Sequence, residues 1–250
     1  MTPPLNPWVV GERGGGRVQQ SGAEIRLTLP PAPASRYHNA QISDYSASAR
    51  DFGNAPPLRL ELRARACGEI RGTAGFGFWN HAFAPGERGF RRPQALWFFF
   101  GGAANDIALA QGVAGRGWKA ATFNARNWRF LALLPLAPIG FPLMRSPSLY
   151  DALWPLGQAA IGVNEAALDM TLLEAFHTYS VEWRKDGAIF RVGGDIVLRA
   201  PTVARSRLGF IAWIDNQYAI VRPQGNFAHG VLDVAHEGTL RLQDISITPL

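Results

Sequence analysis

A chain of 250 residues that is 47% hydrophobic and 18% charged has enough apolar material for a large core and lies far from the composition of disordered proteins. The formal charge of +6 and pI near 10.1 would suit an anionic partner. The basic residues, however, are almost all arginine scattered singly or in pairs, with lysine only at Lys119 and Lys185, and no segment interleaves clustered arginine with spaced aromatics, so nucleic acid is not expected as a partner.

Sandwiches and barrels reach this length as single units, and one domain over 1–250 is expected. Cys67 stands alone, which excludes an intrachain disulfide. The N-terminal stretch MTPPLNPWVVGERGGGR lacks a basic start followed by an apolar run, so the expected location is cytoplasmic.

In chain order, a Pro/Gly-rich arm containing Gly14, Gly15 and Gly16 leads into 18–29, which reads as strand, turn at Ser21-Gly22 and an alternating strand with Ile25, Leu27 and Leu29 on one face. Pro30, Pro31 and Pro33 end it. Residues 41–50 read as a polar edge segment, and 58–65 alternates Leu58, Leu60, Leu62 and Ala64 against Arg59, Glu61, Arg63 and Arg65. In 74–80, Phe76 and Phe78 share one face while Gly75, Gly77 and Trp79 share the other; glycines beside a tryptophan either leave room for a flat group or mark a bent strand. Residues 95–100, ALWFFF, are uncharged on both faces, as a central sandwich strand would be.

Between 125 and 175 the pattern changes. The apolar run 128–144 is broken by Pro135, Pro138 and Pro142, so it is neither a good strand nor a spanning helix. Residues 149–157 and 164–175 have helical composition, and 125–175 is expected to be a helical insertion within the sandwich. Its apolar face rests on the sandwich, lids a hydrophobic site, or makes peripheral contact with a membrane surface.

Residues 176–201, FHTYSVEWRKDGAIFRVGGDIVLRAP, form the clearest motif: Tyr179, Val181 and Trp183 alternate, Lys185-Asp186-Gly187 turns the chain, and Gly193-Gly194 suits a tight hairpin. Residues 208–218 add a strand with Ile211, Trp213 and Asp215 on one face, and 240–248 closes the sheet.

The spacing of Phe176, His177, Tyr179, Trp183, Ile189, Phe190 and Val192 resembles the matching hairpins of family 16 glycoside hydrolases of the laminarinase and lichenase type, and the C-terminal LRLQDISITP resembles their closing strand. Gly193 stands where that family usually has Asp. The resemblance implies an all-β, concanavalin A-like jelly-roll β-sandwich of two antiparallel sheets. It also implies a catalytic strand reading Glu-x-Asp-x-x-Glu or Glu-x-Asp-x-Glu, because retaining hydrolysis needs two carboxyl groups about 5 to 5.5 Å apart. The nearest equivalent, 94–101, reads QALWFFFG and holds no carboxylate; Glu87 and Asp106 lie before and after it.

Other chemistry is not marked. The five histidines, His38, His81, His177, His229 and His236, show no metal-ligand spacing, and neither a phosphate-binding loop nor a triad is evident, so no cofactor or metal is expected. The expectation is therefore a non-catalytic carbohydrate-binding protein. Trp79, Trp97, Phe99, Trp118, Trp213 and Tyr218 would supply flat surfaces, and Asn80, Asp215, Asn216 and Gln217 would orient hydroxyls. An apolar-ligand or lipid-binding protein, lidded by 125–175, is the alternative, and a hydrolase using the non-standard acid Asp215 a lesser one.

Overall fold

The computed structural model describes residues 8–46, 51–82 and 91–250. Its strands in chain order are β1 (Val9–Arg13), β2 (Arg17–Ser21), β3 (Glu24–Leu29), β4 (Asn39–Ser43), β5 (Leu58–Gly68), β6 (Thr73–Trp79), β7 (Gln94–Gly101), β8 (Asp106–Ile107), β9 (Gly117–Asn124), β10 (Asn164–Ala167), β11 (His177–Trp183), β12 (Ala188–Val192), β13 (Asp195–Ala200), β14 (Gly209–Asp215), β15 (Gln217–Val221), β16 (Phe227–Val231) and β17 (Gly238–Pro249). The helices α1 (Trp128–Leu133), α2 (Ala137–Leu143) and α3 (Pro147–Ile161) lie between β9 and β10.

Two seven-stranded antiparallel sheets make the sandwich. The first has the order β1-β4-β14-β6-β7-β9-β10 and the second β13-β12-β11-β5-β17-β3-β2. A small third sheet, β16-β15-β8, sits beside them. Alternation decides which side chains enter the core: Phe76 and Phe78 of β6, Leu96 and Phe98 of β7 and Phe210 of β14 meet Tyr179, Val181, Trp183 and Phe190 of the second sheet. Ring contacts such as Phe98 to Phe190, 5.3 Å between centroids, tie the layers together.

The meander folds as its sequence indicates. β11 pairs with β12 from Tyr179 against Val192 to Trp183 against Ala188, the Arg184 amide donates to the Gly187 carbonyl in the first turn, and Gly193 and Gly194 hold φ of 60° and 97° in the second.

Three expectations need correction. Residues 41–50 are not an edge: β4 lies between β1 and β14, because Val9–Arg13 of the Pro/Gly-rich arm pairs along it. The end of that expected segment, 47–50, lies outside the described residues. The glycines of the arm make a turn, with the Gly16 amide donating to Arg13 and Gly14 at φ 62°, that carries the chain from the first sheet to the second.

Nor is 164–175 helical. Asn164–Ala167 completes the ladder of β9 as β10, and a single 3₁₀ turn at Met170–Leu173 follows. The exposed edge of β9 offers backbone partners that outweigh the local preference. The Asp169 carboxylate accepts from the Thr171 amide to cap the turn, and Leu173 enters the core. Among the described residues the α-helices are confined to 128–161.

Candidate functional site

The strand registers arrange the outer face of the first sheet, the face turned away from the core, in rows. One row runs Gln41, Trp213, Gly75, Phe99 and Lys119 across β4, β14, β6, β7 and β9. The next runs Ser43, Ile211, Gly77, Trp97, Ala121 and Glu165, ending on β10. A third holds Gly209, Trp79, Ala95 and Phe123.

The centre of this face is an aromatic floor. Phe99, Ile211 and Trp213 are buried together, with Trp79, Trp97 and Ile107 packed against them and only half-buried. Trp97 lies 5.2 Å from Trp213, 6.1 Å from Trp79 and 5.5 Å from Phe99 and Phe123, centroid to centroid. β7 thus presents Ala95, Trp97 and Phe99 outward and Leu96 and Phe98 inward.

The indole N–H groups of two of these rings are engaged within the protein. Trp213 Nε1 donates to Thr73 Oγ1 at 2.9 Å, and that hydroxyl donates to Asp215 Oδ1 at 2.8 Å. Trp79 Nε1 donates to the Tyr45 hydroxyl at 2.5 Å, which also hydrogen-bonds His81 Nδ1 at 2.9 Å. These bonds fix the ring planes, so the floor is preorganised.

At the β9 and β10 end lies a buried ion pair. Lys119 Nζ is 3.1 Å from Glu165 Oε2, with side-chain exposures of 2% and 3%, and also donates to the Ile107 carbonyl at 2.8 Å. Burial pushes the Glu165 carboxyl above the usual carboxylate range, against the pull of Lys119. On the opposite side, Asp215 accepts from the Thr73 and Gln217 amides as well as Thr73 Oγ1, and burial pushes its carboxyl up to about 7 against those bonds.

The ten residues singled out in the sequence divide accordingly. Trp79, Trp97, Phe99 and Trp213 come together on the floor. Trp118 does not: it pairs with Phe100 facing inward, is 2% exposed, stacks on Phe98 and meets Tyr179 edge to face between the sheets. Asn80 holds the strand ends together, its amide accepting from the Gln94 N–H and donating to the Arg92 carbonyl. Asn216 is fully buried and bonded to His38, Arg36 and Leu232. Asp215 is 4% exposed with its hydrogen bonds satisfied inside the protein, whereas Gln217 and Tyr218 are half-buried on β15.

Sequence reasoning missed Tyr45, His81, Thr73 and the Lys119–Glu165 pair. Lys119 had a signal, being one of two lysines in an arginine-rich chain. A compact ammonium suits one carboxylate and one carbonyl where a planar guanidinium would not. Among the described residues no cluster of three or more His, Cys, Asp or Glu could hold a metal ion. The apolar-ligand expectation finds no support here: Phe99, Ile211 and Trp213 are 5%, 3% and 6% exposed because they pack on one another, rather than lining a space.

No protein-family model and no curated protein matches the chain. Solved structures do. One, from work on the endo-acting O-glycanases with which members of the human gut microbiota initiate mucin breakdown, aligns with a TM-score of 0.54 at 12% identity over 100% of this chain and 94% of its own. A Bacillus licheniformis β-glucanase aligns at TM-score 0.52 and 11% identity over 97% and 92%, and a legume lectin-like domain from Entamoeba histolytica at 0.51 and 8% over 97% and 90%. The two seven-stranded sheets and these alignments over nearly the whole chain identify the fold as a concanavalin A-like jelly roll.

Proposed function

We propose that this chain binds carbohydrate on the outer face of its first sheet and does not cleave it. The observation that carries the reading is Trp97. It stands on the central strand β7, half-buried, with its ring plane braced by Trp213, Trp79, Phe99 and Phe123. An indole held at fixed orientation with one side accessible is suited to stacking on the apolar face of a sugar ring. Trp79 extends the platform, and Gln41 on β4 is a half-buried polar group in the row of Trp213.

That the described solved structures include a glucanase, an O-glycanase study and a lectin-like domain supports carbohydrate as the ligand class. The non-catalytic half rests on the placement of acids. The two buried carboxylates flanking the floor, Asp215 on β14 and Glu165 on β10, are separated by four strand spacings, roughly 19 Å at about 4.8 Å each. Either hydrolytic geometry needs carboxyls within about 10 Å. Both are also committed, Asp215 to Thr73 and Gln217 and Glu165 to Lys119. Asp106, the acid after β7, pairs with Arg222; Glu87, the acid before it, lies outside the described residues.

The test is a glycan array with affinity electrophoresis on soluble polysaccharides, run on the native chain and on Trp97→Ala. Retention that disappears in the variant supports the reading. Silence across plant, microbial and storage glycans overturns it, and turnover of a β-glucan overturns the non-catalytic half.

A further inference from the structure

The helical segment leaves much of its apolar surface uncovered. Trp128 is 71% exposed, Leu156 67%, Ile139 65% and Leu136 58%. α1 and α2 bury none of their residues, and α3 buries only Trp154 and Ala160. Exposed large apolar side chains gathered on one short segment mark a candidate interaction surface.

The charges around that surface are mostly positive, with Asp151 on α3 the one acid in 126–156. Between Asp106 and Asp151 the sequence contains no Asp or Glu, while Arg116, Arg126, Arg129 and Arg145 are all exposed. The Arg129 guanidinium lies 5.8 Å from the Trp128 ring, placing a cation beside this exposed aromatic. Asp151 is bonded to Gln111. Among the described residues no helix is long and apolar enough to cross a membrane.

We propose that the helical segment 126–156 docks on the surface of an anionic lipid bilayer, with Leu136, Ile139 and Leu156 entering the headgroup boundary and Arg126, Arg129 and Arg145 meeting lipid phosphates. Interfacial helices combine these two ingredients, and tryptophan favours the same boundary. A second copy of the chain fits less well. Two-fold pairing of this surface would set Arg126, Arg129 and Arg145 of each copy against the same three, with Asp151, already bonded to Gln111, the single carboxylate per copy to answer them. The proposal is independent of the sugar reading, which concerns the sheet.

The test is flotation of the whole chain with vesicles of phosphatidylcholine alone or mixed with phosphatidylglycerol. The expected result is co-flotation with the anionic vesicles only, weakening as salt rises. Replacing Arg126, Arg129 and Arg145 by Gln lowers apparent affinity by about fivefold per arginine. Ile139→Ser with Leu156→Ser abolishes flotation while leaving the melting temperature unchanged, since both side chains are exposed. Absence of flotation with either vesicle overturns the proposal, as does equal binding to both that ignores the arginine replacements. A concentration-dependent dimer in sedimentation velocity that Ile139→Ser dissociates overturns it in favour of a second copy.

Discussion

The indole of Trp213 lies over Gly75 on the adjacent strand: a Cβ on Gly75 would come 2.9 Å from Trp213 Cη2 and 2.3 Å from the Phe98 carbonyl oxygen. Gly77, at φ 151°, instead makes room for β7 itself: a Cβ there would come 2.4 Å from the Leu96 carbonyl oxygen and 2.6 Å from Trp97 Cα. Gly75 therefore makes room for the protein's own indole, and Gly77 for the close approach of the β7 backbone. Gly75→Ala is expected to cost about 1 to 3 kcal/mol through overpacking. Urea unfolding should show a lowered midpoint with the slope unchanged. Gly53→Ala, where an added Cβ meets nothing within 4 Å, is the matched control and should be near neutral.

Substitutions at Trp97 and Trp118 are expected to separate glycan binding from stability. Trp118→Ala empties a 2% exposed site between the sheets and is expected to cost about 3 to 5 kcal/mol. Trp97→Ala removes a half-buried ring and should cost less, while weakening glycan affinity by about tenfold or more, the loss expected of an interface anchor. Calorimetric melting beside affinity electrophoresis checks both. Equal loss of stability with unchanged retention would place Trp97 with the packing residues.

How much of this could be read beforehand depends on how each signal is carried. The meander was legible because Tyr179, Val181 and Trp183 alternate and two glycines mark a turn. The uncharged β7 was legible as a central strand because both of its faces are apolar for different reasons, Leu96 and Phe98 in the core and Trp97 and Phe99 on the floor. β9 was not, since Ala120 and Ala121 give the two faces nearly equal hydrophobicity and hide the period. β10 was misread because NEAA prefers a helix in isolation, and only the open edge of β9 makes it a strand. For the site, aromatic residue type pointed to Trp79, Trp97 and Trp213, but Trp118 shows that type alone cannot assign a face. Tyr45 and His81 reach the floor from beyond strand ends, where period-two reasoning has no purchase.

The Lys119–Glu165 pair is expected to be costly to break and cheap to replace. Glu165→Gln leaves a buried ammonium without its counter-charge and should destabilise by about 3 to 5 kcal/mol. Lys119→Met with Glu165→Leu removes both charges at similar volume, and the double variant should be far more stable than additivity predicts. A double-mutant cycle by urea denaturation measures the coupling. Additive losses would mean that the two side chains act separately.

Asp215 should give the protein a stability that declines as pH rises from acid to neutral. Burial holds its carboxyl up to about 7 in the fold, against 3.8 for the ordinary group, so between those values the folded protein binds more protons than the unfolded chain. Stability then falls across about pH 4 to 7, by up to about 4 kcal/mol from this group, and is level above. Glu24 acts in the opposite sense and in a different window. Its contacts with Arg241, Arg26 and Gln243 hold it down to about 2 from 4.5, so the stability it contributes is present above pH 4.5 and lost as pH falls toward 2. Asp215→Asn retains a carbonyl oxygen to accept from Thr73 and Gln217 but cannot titrate, and should flatten the decline between pH 4 and 7 while leaving the acid limb of Glu24 in place. Unfolding midpoints measured at intervals from pH 3 to pH 8 on both proteins decide it. Parallel curves over the neutral range would mean that Asp215 titrates alike in the folded and unfolded chains.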